Sequence, residues 1–213
     1  MKSLRITEIF HSLQGESTTV GLPTVFVRLT GCPLRCQYCD TAYAFSGGNM
    51  LKIDEILAQV AAFGCQHVCV TGGEPLAQPG CIDLLKALCD GGHAVSIETS
   101  GARDISAIDQ RVMVVMDLKT PDSGECDKNK LSNLPYLKAD DQIKFVLCSR
   151  EDYEWACAMM TDHQLSSRAQ ILFSPSWGQL NPTTLAGWII QDRLPVRFQL
   201  QLHKILWSDA PGH

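Results

Sequence analysis

Short apolar runs alternate along this chain with longer stretches in which apolar positions return every three or four residues. The short runs predict strands at 6–10, 24–30, 67–71, 94–99, 112–117, 142–147, 170–173 and 197–202. The longer spacing predicts helices at 54–63, 81–89, 151–160 and 183–191, with a shorter one near 128–134. Asp54 and Thr183 suit a first turn or a cap, and Gly64 sits just past a helix end. Strand, helix and strand in repeated succession mean parallel strands joined by crossover helices. The expected architecture is therefore α/β, a curved or partial (β/α) barrel of about six to eight strands, with any ligand at their carboxyl ends.

Composition narrows the class. The 213 residues are 45% hydrophobic, enough for one sizeable core, and no low-complexity stretch or long linker divides them, so residues 1–213 are expected to form a single domain. A formal net charge of -5 argues against a broad nucleic-acid or membrane footprint, which needs a cationic field, and favours a small-molecule partner. Residues 1–5 lead into a polar-interrupted strand rather than a secretory leader, and no run of about 18 apolar residues follows. The chain is expected to be soluble and cytoplasmic, where its 10 cysteines stay reduced and free for metal.

Cys32, Cys36 and Cys39 fall within one short loop after the strand at 24–30. They form a three-donor set. A 4Fe-4S cube wants a thiolate on each of its four irons, so three cysteines leave one iron open to a substrate or cofactor. A structural zinc ion is the alternative, with Cys65, Cys69 or His67 as fourth ligand, in an interaction module rather than an enzyme. A redox dithiol of Cys36 and Cys39 leaves Cys32 unused. The other cysteines, Cys65, Cys69, Cys81, Cys89, Cys126, Cys148 and Cys157, mostly fall in apolar or helical stretches and read as small core residues. His11, His67, His93, His163, His203 and His213 show no metal-ligand spacing, and no general acid–base dyad stands out.

The cysteine spacing, with the aromatic Tyr38 just before the last cysteine, resembles the signature loop of the radical S-adenosylmethionine (SAM) enzymes. A second motif supports it: Thr71-Gly72-Gly73-Glu74-Pro75 follows the next strand, and glycines there let main-chain groups approach a ligand closely. Within that superfamily the run Ser12-Leu13-Gln14-Gly15-Glu16, then Arg28, the cysteine loop, Asp40-Thr41 and Glu98-Thr99-Ser100-Gly101 resembles the 7-carboxy-7-deazaguanine synthase family. The likeness runs almost end to end, and residues 199–204 resemble the family's carboxyl-terminal strand. A glycyl-radical activating enzyme shares the cysteine spacing but acts on a protein, and it does not explain Ser12 to Glu16 with Arg28.

That resemblance implies radical ring contraction of 6-carboxy-5,6,7,8-tetrahydropterin to 7-carboxy-7-deazaguanine with loss of ammonia, on the route to queuosine. SAM serves as a catalytic cofactor on the 4Fe-4S cluster and Mg2+ assists. It implies cluster ligation by Cys32, Cys36 and Cys39 and SAM binding by Tyr38, Gly73 and Glu98. Asp117 and Lys119 fall where the family carries Ser-Pro-Lys, with Lys119 alone matching, and both are assigned to SAM. Leu13, Gln14 and Gly15 would edge the pterin, Arg28 would grip its carboxylate, Thr71 would bond it from a strand end, and Thr41 would hold magnesium. Lys144 either enters the same mouth or is solvated at a strand edge. The expected partners are a second copy of the chain, through the amphipathic carboxyl-terminal strand, and a flavodoxin-like electron donor.

Overall fold

The computed structural model describes residues 2–208, 210 and 212. His213, one of the six histidines, lies outside them. Among the described residues the strands are β1 (Ser3–Leu13), β2 (Pro23–Leu29), β3 (Asn49–Lys52), β4 (His67–Gly72), β5 (Ala94–Thr99), β6 (Met113–Asp117), β7 (Gln142–Leu147), β8 (Gln170–Pro175) and β9 (Arg197–Phe198). They form one sheet in the order β3-β1-β2-β4-β5-β6-β7-β8-β9. From β2 through β9 every neighbour is parallel, whereas β1 pairs antiparallel with both β2 and β3. The sheet is open, with β3 and β9 as its edges, so the partial barrel is unclosed.

Helices α1 (Ile53–Ala62), α2 (Cys81–Asp90), α3 (Arg150–Asp162) and α4 (Pro182–Asp192) fill the crossovers. Asn181 caps α4 through Thr183 N and Thr184 N, and Ser149 caps α3 through Asp152 N, as polar side chains do for the free amides of a first turn. Leu84, Leu85 and Leu88 of α2 are fully buried, each worth about 1.5–3 kcal/mol of transfer free energy.

The period of two along the strands divides the sheet into two unlike faces. Val25, Val27 and Leu29 on β2, Val68 and Val70 on β4, Val95 and Ile97 on β5, Val114 and Met116 on β6, and Ile143 and Phe145 on β7 belong to the helix-covered core. The intervening residues point the other way. Near the carboxyl ends of β2, β4, β5 and β6 these are Arg28, Thr71, Glu98 and Asp117, and level with Asp117 on β7 it is Lys144. Register sets Arg28 beside Thr71 and Asp117 beside Lys144.

Two expectations need correction, and one strand went unpredicted. The strand at 197–202 shrinks to Arg197–Phe198 and is followed by a helix, α5 (Leu202–Trp207). The ladder ends there because the side chain of Gln199 turns to accept from Ser17 N at 3.0 Å and Leu202 N bonds Gly15 O at 2.9 Å. No amphipathic carboxyl-terminal strand exists among the described residues to serve as an interface. The helix near 128–134 resolves into two 3-10 turns, Cys126–Lys128 and Leu131–Tyr136, and Pro135 has no amide hydrogen with which to extend the second. Finally, β3 pairs its backbone with β1 while most of its side chains are exposed, so it carries no hydrophobic alternation.

Candidate functional site

The polar face of the sheet, the cysteine loop, the segment after β1 and α5 enclose a cavity of about 470 Å³. Cys32, Cys36, Tyr38, Cys39 and Thr41 border it from the loop after β2. Leu13, Gln14 and Gly15 border it from the end of β1. Arg28, Thr71, Gly73, Glu98, Asp117 and Lys119 complete the set that the sequence singled out, and Lys144 lies in the mouth rather than at a solvated edge.

The cysteine loop is fastened without its thiols. Arg35 Nη1 donates to Cys32 O at 2.8 Å and Leu34 O at 2.7 Å, its guanidinium lies 4.2 Å from the Phe45 ring centroid, and Gln37 N bonds Ser123 O at 3.1 Å. Cys32, Cys36 and Cys39 are all free thiols of intermediate burial. Burial pushes Cys36 up to about 11 and Cys32 upward too, against the pull of Lys119, so a metal held by them would have to displace their protons. Among the described residues no three His, Cys, Asp or Glu side chains converge on a single-ion site. The zinc alternative finds no fourth donor. Cys65 Sγ bonds Pro23 O at the amino end of the sheet, His67 pairs with Thr24 at that same end, and Cys69 is fully buried. A spread of three thiols suits a multi-iron group better than one ion.

At the end of β4 the backbone comes up against this loop. Glu74 N bonds Gly31 O at 2.8 Å, and a Cβ on Gly73 would stand 2.8 Å from Cys32 Cβ and nearer still to Gly31 O. Glycine is required there by the loop as well as by any ligand. Glu74, 0% exposed, accepts from Leu76 N at 2.9 Å, Thr99 Oγ1 at 3.0 Å and Ser100 N at 2.7 Å, and so ties the β4 end to the β5 turn. It organises the wall and does not enter the cavity.

Glu98 lies between two residues assigned to substrate: it accepts from Gln14 Nε2 at 3.3 Å and from Thr71 Oγ1 at 2.9 Å. Across the cavity Lys144 Nζ lies 2.7 Å from Glu16 Oε2 and 3.6 Å from Asp117 Oδ2, and Lys119 Nζ lies 2.8 Å from the same Asp117 oxygen. Burial opposes both ammonium charges, but Glu16 and Asp117 outweigh it at Lys144, and Asp117 does so at Lys119, holding each above the ordinary lysine value. Lys119 also sits 5.5 Å from the Tyr38 ring centroid. Two buried polar atoms beside this network, Asp117 Oδ1 and the Tyr38 hydroxyl, have no protein partner. Buried groups of that kind are ordinarily satisfied, and these flank the thiols.

Thr41 Oγ1 donates to Asp40 Oδ1 at 2.8 Å, while Gln201 Nε2 and Lys204 Nζ reach Asp40 Oδ2 at 3.2 and 3.4 Å. Burial works against the Asp40 charge, yet Lys204 and Thr41 keep its carboxyl below the usual value. A hydroxyl beside an ionised carboxylate is an oxygen donor set of the kind a hard cation takes. Gln201, His203 and Lys204 were not singled out from the sequence, although α5 brings them to the cavity. A Cβ on Gly15 would collide with His203 Nδ1, so that loop and α5 pack backbone to ring. Glu16 was noted only as part of a motif, and no local pattern marks its pairing with Lys144.

Comparison with known proteins agrees with this geometry. The family model described as the Radical SAM superfamily matches residues 26–127. The 7-carboxy-7-deazaguanine synthase of Chlorobaculum tepidum is 46% identical, covering 98% of this chain and 97% of the relative. That of Koribacter versatilis is 40% identical, covering 96% and 97% respectively. Among solved structures, QueE from Escherichia coli superposes with a TM-score of 0.79 at 23% identity, covering 94% of this chain and 95% of that one.

Proposed function

Because the chain belongs to the 7-carboxy-7-deazaguanine synthase family of the radical SAM superfamily, we propose that its cavity divides into a cofactor side at the thiols and a pterin side at Arg28. It is a lyase of queuosine biosynthesis that contracts the ring of 6-carboxy-5,6,7,8-tetrahydropterin to 7-carboxy-7-deazaguanine with loss of ammonia. The glycyl-radical activase and zinc-module alternatives give way to it. The reading of the site rests on one observation: successive strands carry Arg28, Thr71, Glu98, Asp117 and Lys144 into the space that also holds the cysteine loop.

The donor set fits a 4Fe-4S cluster and SAM. Cys32, Cys36 and Cys39 would hold the cluster, which together with SAM would supply reversible hydrogen-atom transfer with the substrate. Gly73 keeps the β4 end close to the loop, and the unpartnered Asp117 Oδ1 and Tyr38 hydroxyl, with Lys119, orient the polar parts of the cofactor. Thr41, with Asp40, would hold Mg2+.

On the other side Arg28 binds the pterin carboxylate. Gln14, Thr71 and Glu98 form a linked set of donors and acceptors that pairs with the amide and amine edge of the ring, which moves Glu98 from the cofactor to the substrate. Leu13 and Gly15 shape the rim, and α5 closes over Gly15 through His203. Hydrogen-atom transfer replaces much of the proton traffic, and proton movement is left to the departure of ammonia and the loss of a ring proton that accompanies it.

Replacing Arg28 by alanine removes a charge-assisted fork worth about 1.5–3 kcal/mol, so KM for the carboxypterin is expected to rise about ten- to a hundredfold while SAM cleavage persists. Unchanged pterin kinetics would remove Arg28 from the site. Thr41→Ala is expected to raise the Mg2+ concentration needed for half-maximal turnover about tenfold; an unaltered magnesium titration would place the ion elsewhere. We also propose that residues 1–213 act as one catalytic domain, that the enzyme works in the cytoplasm as a homodimer, and that a flavodoxin-like protein supplies its electrons. Among the described residues no helix is long and apolar enough to cross a membrane. Sedimentation at micromolar concentration reads the oligomeric state directly.

A further inference from the structure

β1 and β2 keep a regular antiparallel register except at one point, where Ile6 faces Leu29 and Glu8 faces Arg28, two steps on β1 against one on β2. A bulge of this kind shifts every later side chain across the pleat. In an uninterrupted ladder Thr7 would lie opposite Arg28, and Glu8 would lie opposite Val27, which is fully buried in the core. The bulge instead puts a carboxylate next to the guanidinium. Glu8 Oε1 accepts from Arg28 Nε at 2.7 Å and from the Tyr43 hydroxyl at 2.8 Å. The guanidinium carbon lies 5.7 Å from the Phe10 ring centroid and 5.8 Å from that of Tyr43. Arg28, Phe10 and Tyr43 border the cavity and Glu8 does not. Glu8 therefore stands behind the arginine, with its side chain 22% exposed against 15% for Arg28.

A guanidinium offers a carboxylate two bidentate edges, Nε with one Nη or the two Nη nitrogens together. Here Nε is committed to Glu8, which leaves the Nη pair for the substrate. We propose that Glu8, braced by Tyr43, is a positioning residue that fixes Arg28 end-on to the pterin carboxylate and so sets the preference for a carboxylated substrate. The Glu8–Arg28 pair is formally neutral, so this selectivity comes from a fixed fork rather than from a positive field. Without Glu8 the long arginine side chain regains its rotamer freedom and meets the ligand in several poses. The inference rests on the assignment of Arg28 to the carboxylate given above.

The test compares binding of 6-carboxypterin and of its 6-carboxamide to the anaerobically reconstituted enzyme, with cluster absorbance and SAM affinity as controls of folding. In Glu8→Ala the carboxylate preference is expected to fall about tenfold, whereas Glu8→Gln keeps an acceptor for Arg28 Nε and retains most of it. Tyr43→Phe, which keeps the ring and removes one of the two bonds to Glu8, is expected to lose about threefold, and it carries the test should Glu8→Ala fail to fold. An unchanged preference in Glu8→Ala or, failing that variant, in Tyr43→Phe overturns the proposal. Arg28→Ala separates the two levels. If it abolishes the preference while Glu8→Ala does not, the positioning role alone falls; if it leaves the preference intact, the assignment of Arg28 itself is wrong.

Discussion

Replacing Cys36 by alanine is expected to prevent cluster assembly and to lower turnover by at least about a thousandfold, a barrier increase of about 4 kcal/mol. All three thiols come from one loop, and no other convergent donor exists among the described residues to take the vacated position. The fold should survive the change. Cys36 lies outside the hydrophobic core, and the loop is fastened by Arg35 to main-chain carbonyls and by Gln37 N to Ser123 O rather than by sulfur. Unfolding free energy should therefore move by less than about 1 kcal/mol while bound iron and sulfide and the brown absorbance disappear. A Cys36→Ala protein that still assembled the cluster and cleaved SAM would contradict the assignment of the loop.

The second large effect belongs to Lys144→Met. One ammonium bridges two carboxylates, Glu16 beside Gln14 and Gly15 and Asp117 on β6, at positions where all three side chains are nearly enclosed. Asp117 keeps Lys119 after the substitution, but Glu16 is left as an enclosed charge without its cation. Removing one partner of such a pair costs about 3–5 kcal/mol. The variant should unfold at correspondingly lower urea concentration, and its pterin affinity should fall because Glu16 leads directly into the loop that carries Gln14 and Gly15. The pH dependence has a definite sign. Although burial opposes its charge, Glu16 and Asp117 raise the folded-state value of Lys144 above that of a free lysine. Its stabilisation is then complete below the unfolded lysine value of about 10.4 and is lost only as pH rises through the higher folded value. The stability gap between wild type and variant should stay level from about pH 7 to 10 and close above that. A gap that narrows between about pH 7 and 9 would show that Lys144 is not held charged by its partners.

Much of the fold could be read along the chain, and the exceptions share a cause. The strands at 94–99 and 142–147 have the same bounds as β5 and β7, because apolar residues on their helix-facing side make the pattern plain. The edge strand β3 left no such trace, since it is held by backbone pairing with β1. The alternating Gln-Leu-Gln-Leu run after Phe198 has the period of a strand, yet long-range bonds from Gln199 to Ser17 and from Leu202 to Gly15 turn it into α5. In the site, motif residues such as Cys32, Gly73 and Gln14 were legible because each belongs to a compact run. The pairing of Lys144 with Glu16, 128 positions apart, was not. Glu8 was hidden differently: a bulge defines its role, and strict alternation would have sent its side chain to the wrong face.

On the proposal that this one cavity joins a three-cysteine radical SAM centre to a carboxypterin site, a single anaerobic turnover experiment addresses both halves. The chain is reconstituted with iron and sulfide, reduced, and given SAM with and without 6-carboxy-5,6,7,8-tetrahydropterin. 7-Carboxy-7-deazaguanine and free ammonia are expected only when the pterin is present. Cleavage of SAM to 5'-deoxyadenosine with the pterin left intact would contradict the proposal.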